Sequence, residues 1–267
     1  EIMNFLDEAI ANLDQTTVFP SLEEQDLIYG GNIARWGKFA YGLKARYTMR
    51  LSNRVPDYNA VITFANQSFV SGVEQAEYDY NGSTTVSPFH RIFLDRNYYG
   101  ASQSLHDKLV ERNDPRDTIF WKPHPESDVE DLVFAPNGTP VQVQGSYSVS
   151  AISNPTASTY LLSYHEIEFL KAEAYVRLNQ LADAETALRN AVSAAFRKVN
   201  IGLTADDADE YFENQVLARF NADPLSEVMN QKYIAFFEEE ALEAYHDYRR
   251  LTAMGDDVIS LVNPKNA

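Results

Sequence analysis

Residues 163–196, SYHEIEFLKAEAYVRLNQLADAETALRNAVSAAF, carry the clearest folding instruction in the chain. Tyr164, Ile167, Leu170, Ala174 and Leu178 recur at steps of three and four, so they share one helical face. Asn179-Gln180 interrupts the pattern, and Leu181, Ala184, Leu188, Ala191, Val192 and Ala195 resume it. The spacing predicts a helical hairpin. Its contact positions are largely alanine, which lets two helix backbones approach closely. One such hairpin cannot bury its own apolar face, so neighbouring helices must stack on it.

The flanking sequence supplies those neighbours. Ile2, Phe5, Leu6, Ala9, Ile10 and Leu13 describe an amphipathic helix. Phe19 to Asn32 reads as a loop with its turn at Gly30-Gly31. Trp36 to Asn53 is a second helix, with Trp36, Phe39, Ala40, Leu43, Tyr47 and Leu51 on one face. Lys44, Arg46 and Arg50 are assigned to its other face. Pro56-Asp57 opens a third helix, Tyr58 to Phe69. Downstream, Asp206 to Asn221 is an acid-started helix, and acidic first turns suit the helix dipole. Pro224 to Leu251 reads as one long closing helix, followed by a short tail from Val258 to Pro264.

Between about Ser71 and Thr159 the texture changes. Asn81-Gly82, Pro115, Pro123, Pro125, Pro136-Asn137-Gly138 and Asn154-Pro155 mark turns. Only Ser102 to Arg112 reads as a helix here, and Val141 to Val149 is a candidate strand. The expected fold is therefore mainly α. A helical-hairpin scaffold, about 1–70 and 160–267, carries an irregular, loop-rich excursion, about 71–159, within a single domain. Tyr175, Ala184 and Ala191 resemble the tetratricopeptide pattern of an aromatic in one helix and small residues in the next.

Composition narrows the function. The net charge of -17, from 39 acidic and 22 basic residues, opposes binding to nucleic-acid phosphates. It suits solubility or a neutral or cationic ligand. With no cysteine, disulfides, zinc–thiolate sites and thiol nucleophiles are excluded. No apolar run approaches the roughly 20 residues that span a bilayer. The chain opens at Glu1, already in a helical pattern and without an initiating Met, so it is expected to be a piece of a longer protein.

Four segments in order resemble the SusD/RagB family of outer-membrane nutrient-binding lipoproteins. They are WGKFAYGLKARYTMRL (36–51), LVERNDPRDTIFW (109–121), YLLSYHEIEFLKAEAYVR (160–177) and QKYIAFFEEEALEAYHDYRRL (231–251). The resemblance implies a tetratricopeptide-like scaffold with an irregular ligand-binding part. It also implies a lipid-anchored cell-surface protein that captures glycans or other nutrients and passes them to a TonB-dependent, SusC-like transporter. The alternatives are a tetratricopeptide-like scaffold that binds only proteins and, further off, a glycoside hydrolase.

A glycan site needs flat aromatic faces and a few convergent polar groups. Irregular segments held by a rigid scaffold are where binding residues concentrate. The site is expected on the excursion at Arg96, Asn97, Tyr98, Tyr99 and Trp121. Tyr98 and Tyr99 lie on a turn before a short helix. Trp121 stands between the Asp114–Asp117 turn and Pro123, where an indole is either a packing anchor or a stacking platform. Tyr78, Tyr80, Phe89, Tyr147, Asn81 and Gln103 are further candidates. Asp114-Pro115-Arg116-Asp117 reads as a turn closed by an Arg–carboxylate pair, and Arg249-Arg250 as partners for Glu243 or Asp247. The five histidines show no HExxH spacing, and there is no Gly-rich phosphate loop or GxSxG elbow. Asp206, Asp207, Asp209 and Glu210 lack EF-hand spacing. Neither a catalytic residue, a metal nor a cofactor is expected.

Overall fold

The computed structural model describes residues 1–96, 99–128, 130–138, 145–198, 202–259 and 261. Helices form where an apolar period is preceded by a side chain that satisfies a free N-terminal amide. α1 (Ile2–Leu13) follows its apolar pattern. α2 (Ile33–Arg50) begins three residues earlier than its apolar face suggests, because the Asn32 side chain accepts from the Arg35 amide at 3.1 Å. α3 (Tyr58–Asn66) starts at Asp57, whose carboxylate accepts from the Ala60 amide at 2.9 Å.

The excursion leaves and rejoins the scaffold through a two-stranded antiparallel ribbon. β1 (Ala76–Tyr78) pairs with the later strand at Thr159–Leu162, so that Ala76 faces Leu162 and Tyr78 faces Thr159. Three helices follow β1: α4 (Pro88–Asp95), α5 (Gln103–Glu111) and α6 (Asp117–Phe120). α4 contradicts the expectation of a single helix in this region. Its first residue is Pro88, which presets the helical φ and needs no amide partner there. β2 (Trp121–Lys122) pairs with β3 (Val149–Ser150), and β4 (Thr159–Leu162) closes the ribbon. Most of the candidate strand from Val141 to Val149 lies outside the described residues.

α7 (Tyr164–Arg177) and α8 (Leu181–Lys198) form the hairpin read from the sequence. Ser163 caps α7 by accepting from the Glu166 amide, and Asn179 makes the turn at φ 57°. α7 is buried on both sides. Ile167, Leu170 and Ala174 pack with Ala45, Met49 and Val61 of α2 and α3. Phe169 and Ala172 instead join Leu188, Val192 and Phe196 of α8. The approach to α2 is close: a Cβ on Gly42 would stand 2.4 Å from Leu162 Cδ2 and 2.5 Å from Ser68 Oγ.

Charge is buried along the same helix, and each charge is paired there, as a low-dielectric site requires. Arg46 donates to the Glu166 carboxylate, at 2.6 Å from Nε, and Lys44 pairs with Asp7. Both cations belong to the face of α2 read as the one away from its apolar residues. They turn inward because α7 and α1 present carboxylates there.

The C-terminal part continues the stack. α9 (Ala205–Tyr211) opens with a capping box between Thr204 and Asp207. A π-helical turn, Phe212–Val216, joins it to α10 (Leu217–Ala222). The expected closing helix is two helices, α11 (Pro224–Ala235) and α12 (Ala241–Met254). Between them Glu238 takes a left-handed backbone at φ 66°. Phe236 enters the hairpin core, whereas Phe237 packs into a separate cluster with Trp121 and Ile234. Glu240 turns inward to Ser163 and His165. Those contacts hold the break against roughly 1–2 kcal/mol of left-handed strain.

The excursion is fastened to α11. Arg112 Nη1 donates to both Glu227 oxygens at 2.9 and 2.8 Å. Arg116 Nε donates to Asp114 Oδ1 at 2.9 Å, and its Nη2 reaches Gln231 Oε1 at 3.0 Å. The turn at Asp114–Asp117 is thus a structural clamp.

Candidate functional site

Where the excursion meets the break between α11 and α12, a cavity of 240 Å³ opens, lined by Phe89, Phe93, Tyr99, Trp121, Phe237 and Glu238 among others. Each wall has a local cause. Phe89, Ile92 and Phe93 come from α4, and the Phe93 ring meets that of Tyr99 at a tilt of 56°, with centroids 5.1 Å apart. Gly100 carries the chain past Tyr147, where a Cβ would approach Tyr147 Cβ to 3.0 Å. Trp121 lies on β2 and Phe237 in the helix break, with centroids 5.1 Å apart.

The sequence-predicted residues divide at this cavity. Tyr99 lines it and is 50 % exposed. Trp121 also lines it but is only 5 % exposed. Its Nε1 donates to Asp117 Oδ1 at 3.1 Å, and Phe120, Phe134 and Phe237 surround its ring. Arg96 follows α4, donates its amide to the Ile92 carbonyl at 2.8 Å, and lies outside the lining. Asn97 and Tyr98 are outside the described residues. Of the further candidates, Phe89 reaches the cavity. Asn81 spends its side-chain oxygen on the amides of Ser83, Thr84 and Thr85. Gln103 donates to Asp107, and Tyr78 pairs edge-on with Tyr80.

Sequence reasoning missed Phe93, Phe237 and Glu238. The first belongs to a helix signalled only by Ser87-Pro88. The other two belong to a helix break that no Gly or Pro announces. Among the described residues Glu238 is the charged member of the lining, beside Ser102 and Ser150. Burial pushes its carboxyl up to about 7, against a hydrogen bond from Ser150, and Glu239 adds to the rise. One of its oxygens, Oε2, is buried and takes no hydrogen bond among the described residues.

A larger, polar cavity of 530 Å³ lies between the β1–β4 ribbon and the end of α8, lined in part by Glu77, Tyr160, Arg197, Lys198 and Glu239. Lys198 and its carboxylates satisfy one another there. Lys198 Nζ stands 3.2 Å from Glu239 and 3.0 Å from Glu240, and Glu240 also meets His165 Nε2 at 2.6 Å. Burial disfavours both charges, but the pairing outweighs it, holding Lys198 above and Glu240 below their usual ranges. This network ties α7, α8 and the helix break together. The aromatic cavity offers what a sugar ring needs: flat apolar walls and a carboxyl oxygen that takes no hydrogen bond among the described residues.

The family description of starch-binding proteins that associate with the outer membrane, the SusD-like family, matches residues 1–254. The chain belongs to the SusD-like family. A SusD/RagB family protein from Bacteroides thetaiotaomicron is 40% identical over 98% of the chain, with a TM-score of 0.91. This SusD-like chain spans 62% of that relative's length. A SusD homologue from Bacteroides fragilis superposes with a TM-score of 0.77 at 22% identity, over 99% of this chain and 64% of its own. A chitin-binding SusD homologue from Flavobacterium johnsoniae has a TM-score of 0.71 at 19% identity, over 92% and 58%. These last two share the fold. No curated protein matches the chain. The SusD-like family is associated with the outer membrane, and among the described residues no helix is long and apolar enough to cross one.

Proposed function

We propose that this SusD-like chain binds glycans at the cell surface and delivers them to a TonB-dependent transporter, without cleaving them. Its protein would be held at the outer membrane by a lipid anchor. The chain acts as one domain, a helical scaffold of about 1–70 and 160–267 presenting an excursion of about 71–159. The observation that carries the binding reading is the aromatic cavity, where Phe89, Phe93 and Tyr99 line an opening beside Glu238, whose Oε2 takes no hydrogen bond among the described residues. Glycan binding is also what the family description and the chitin-binding relative suggest. The ligand-binding segment is Arg96, Asn97, Tyr98 and Tyr99, with Trp121 forming the floor.

A glycan-array screen of the parent beside Tyr99→Ala and Phe89→Ala tests this reading. Base–aromatic and sugar–aromatic stacking alike depend on the ring face, so loss of either ring is expected to weaken binding about ten-fold while melting is little changed. The bound glycan is expected to be recovered uncleaved. A parent that binds while both variants keep its affinity places the site elsewhere on the protein. Release of reducing ends by the parent, abolished by changing one carboxylate, overturns the non-enzymatic reading.

A further inference from the structure

Glu238 borders two cavities at once. On one side is the 240 Å³ cavity of Phe89, Phe93 and Tyr99. On the other, beyond Phe237, is a cavity of 270 Å³ walled by Tyr233, Tyr245 and Tyr248. Glu238, with Phe237, therefore stands between two cavities lined with aromatic side chains.

The nearby charges are paired with one another rather than with Glu238. Glu239 has Lys198 at 3.2 Å, and Glu240 has Lys198 at 3.0 Å and His165 at 2.6 Å. Lys198 is committed to that pair, and both Lys198 and Lys122 act on Glu238 only from beyond ion-pair distance. Among the described residues, Glu238 has no cation within 4.0 Å, and its buried Oε2 has no donor. A desolvated carboxylate without a counter-charge is unfavourable, and hydroxyl donors supply hydrogen bonds but no charge. The surrounding ring faces attract cations and repel anions. The net charge of -17 also draws cations to the surface. The backbone of Glu238 is left-handed, a strain that a non-glycine residue keeps only where surrounding structure holds it.

We propose that Glu238 is the recognition carboxylate for the ammonium group of an amino sugar, within a glycan that reaches from the Tyr99 cavity across Phe237. This rests on the glycan-binding reading above and adds the ligand's class. The ammonium pairs with the Glu238 carboxylate from the cavity, and the flanking aromatic rings take the apolar faces of its own ring and the next. An N-acetylated sugar at the same position presents a neutral amide and leaves the carboxylate uncompensated. Because the free carboxyl is protonated in part near neutrality, capture of an ammonium ion drives a proton off it.

The test uses matched di- to hexasaccharides, each with a free-amine and an N-acetylated form, measured by calorimetry just below neutrality in two buffers of different ionisation enthalpy. The parent is expected to bind the amine form at least about ten-fold tighter and to release a proton on binding. In Glu238→Gln the ratio between the two forms should fall to near one, and the proton release should vanish. Glu238→Asn, which accepts a left-handed backbone more readily, guards against a folding artefact and should give the same result. Tyr99→Ala should weaken both forms alike. A parent that binds the N-acetylated or neutral members with no preference for the amine overturns this inference and leaves the glycan reading standing. A preference that survives Glu238→Gln also overturns it, and a parent that binds no member of the panel overturns both.

Discussion

The guanidinium of Arg250 meets the carboxylate of Glu173 through two parallel hydrogen bonds of 2.8 and 2.7 Å in the buried seam between α12 and α7. The same guanidinium donates to Asp247 at 2.9 Å, and Asp247 in turn takes Lys232 of α11 at 2.6 Å. Three helices are thus joined by one charge network, which Arg177 extends from Glu173, at 3.5 Å, to Asp256, at 2.6 Å. Arg250→Ala removes the two short bonds and leaves the buried Glu173 only Arg177, at 3.5 Å, which is expected to lower unfolding stability by about 3 kcal/mol, the low end for a broken buried pair. Arg250→Lys should recover little, because an ammonium cannot reproduce the two-pronged geometry. The urea midpoint reads both effects, and a midpoint unchanged in Arg250→Ala would show that the network adds nothing to the stability of the seam.

Ala174 tests the close approach of α7 to its neighbours. It is fully buried in the cluster with Ala45, Met49, Val61 and Ala65. A leucine there has no room without moving a helix, so Ala174→Leu should destabilise the protein by about 1–3 kcal/mol. An unchanged melting curve would contradict this packing.

The scaffold was legible because its information is local. The three-and-four spacing from Tyr164 to Ala195, the cap at Asp57 and the run after Pro224 each sit within a few residues of the helix they define. The direction of charges was not legible. Arg46 looks like a surface residue until Glu166, far away in sequence, is placed opposite it. The helix break was hidden for the same reason. FFEEEAL has strong helical character, and only the three-dimensional demands of Phe236, Phe237 and Glu240 interrupt it. The aromatic cavity inherits that limit: Tyr99 and Trp121 were readable from the excursion, while Phe237 and Glu238 reach it through the break.

The titration of Glu238 predicts a pH dependence of stability with a defined sign. Its carboxyl is pushed up to about 7 in the fold by burial, above the roughly 4.3 of an unfolded glutamate. Between those values the folded state binds the extra proton. The contribution is therefore fully present below the unfolded value and is lost as pH rises through about 7. Glu238→Gln abolishes this titration. The variant should gain on the parent as pH climbs through that window, by up to about 3 kcal/mol, and the difference should be flat above it. Glu240, held below its usual range, pulls the parent curve the opposite way in acid but is common to both proteins and cancels. Chemical denaturation across the window measures the difference, and a constant gap would contradict the burial of this carboxyl.

Trp121 separates anchoring from ligand contact. Only 5 % of it is exposed, its indole N–H is held by Asp117, and its ring fills the cluster with Leu105, Phe120, Ile152 and Ile234. Trp121→Ala empties a large, closed volume and should cost about 3–5 kcal/mol of stability. Trp121→Phe keeps most of the ring and loses the indole donor. Asp117 is not stranded by that change, because His106 Nδ1 still lies 2.8 Å from the same oxygen. The phenylalanine variant should therefore lose only about 1 kcal/mol. Any loss of glycan binding in Trp121→Ala should follow its unfolding, whereas Trp121→Phe, folded and with the cavity floor retained, should bind close to the parent. A stable Trp121→Ala that has lost its ligand would instead make the indole a stacking surface in direct contact with the sugar.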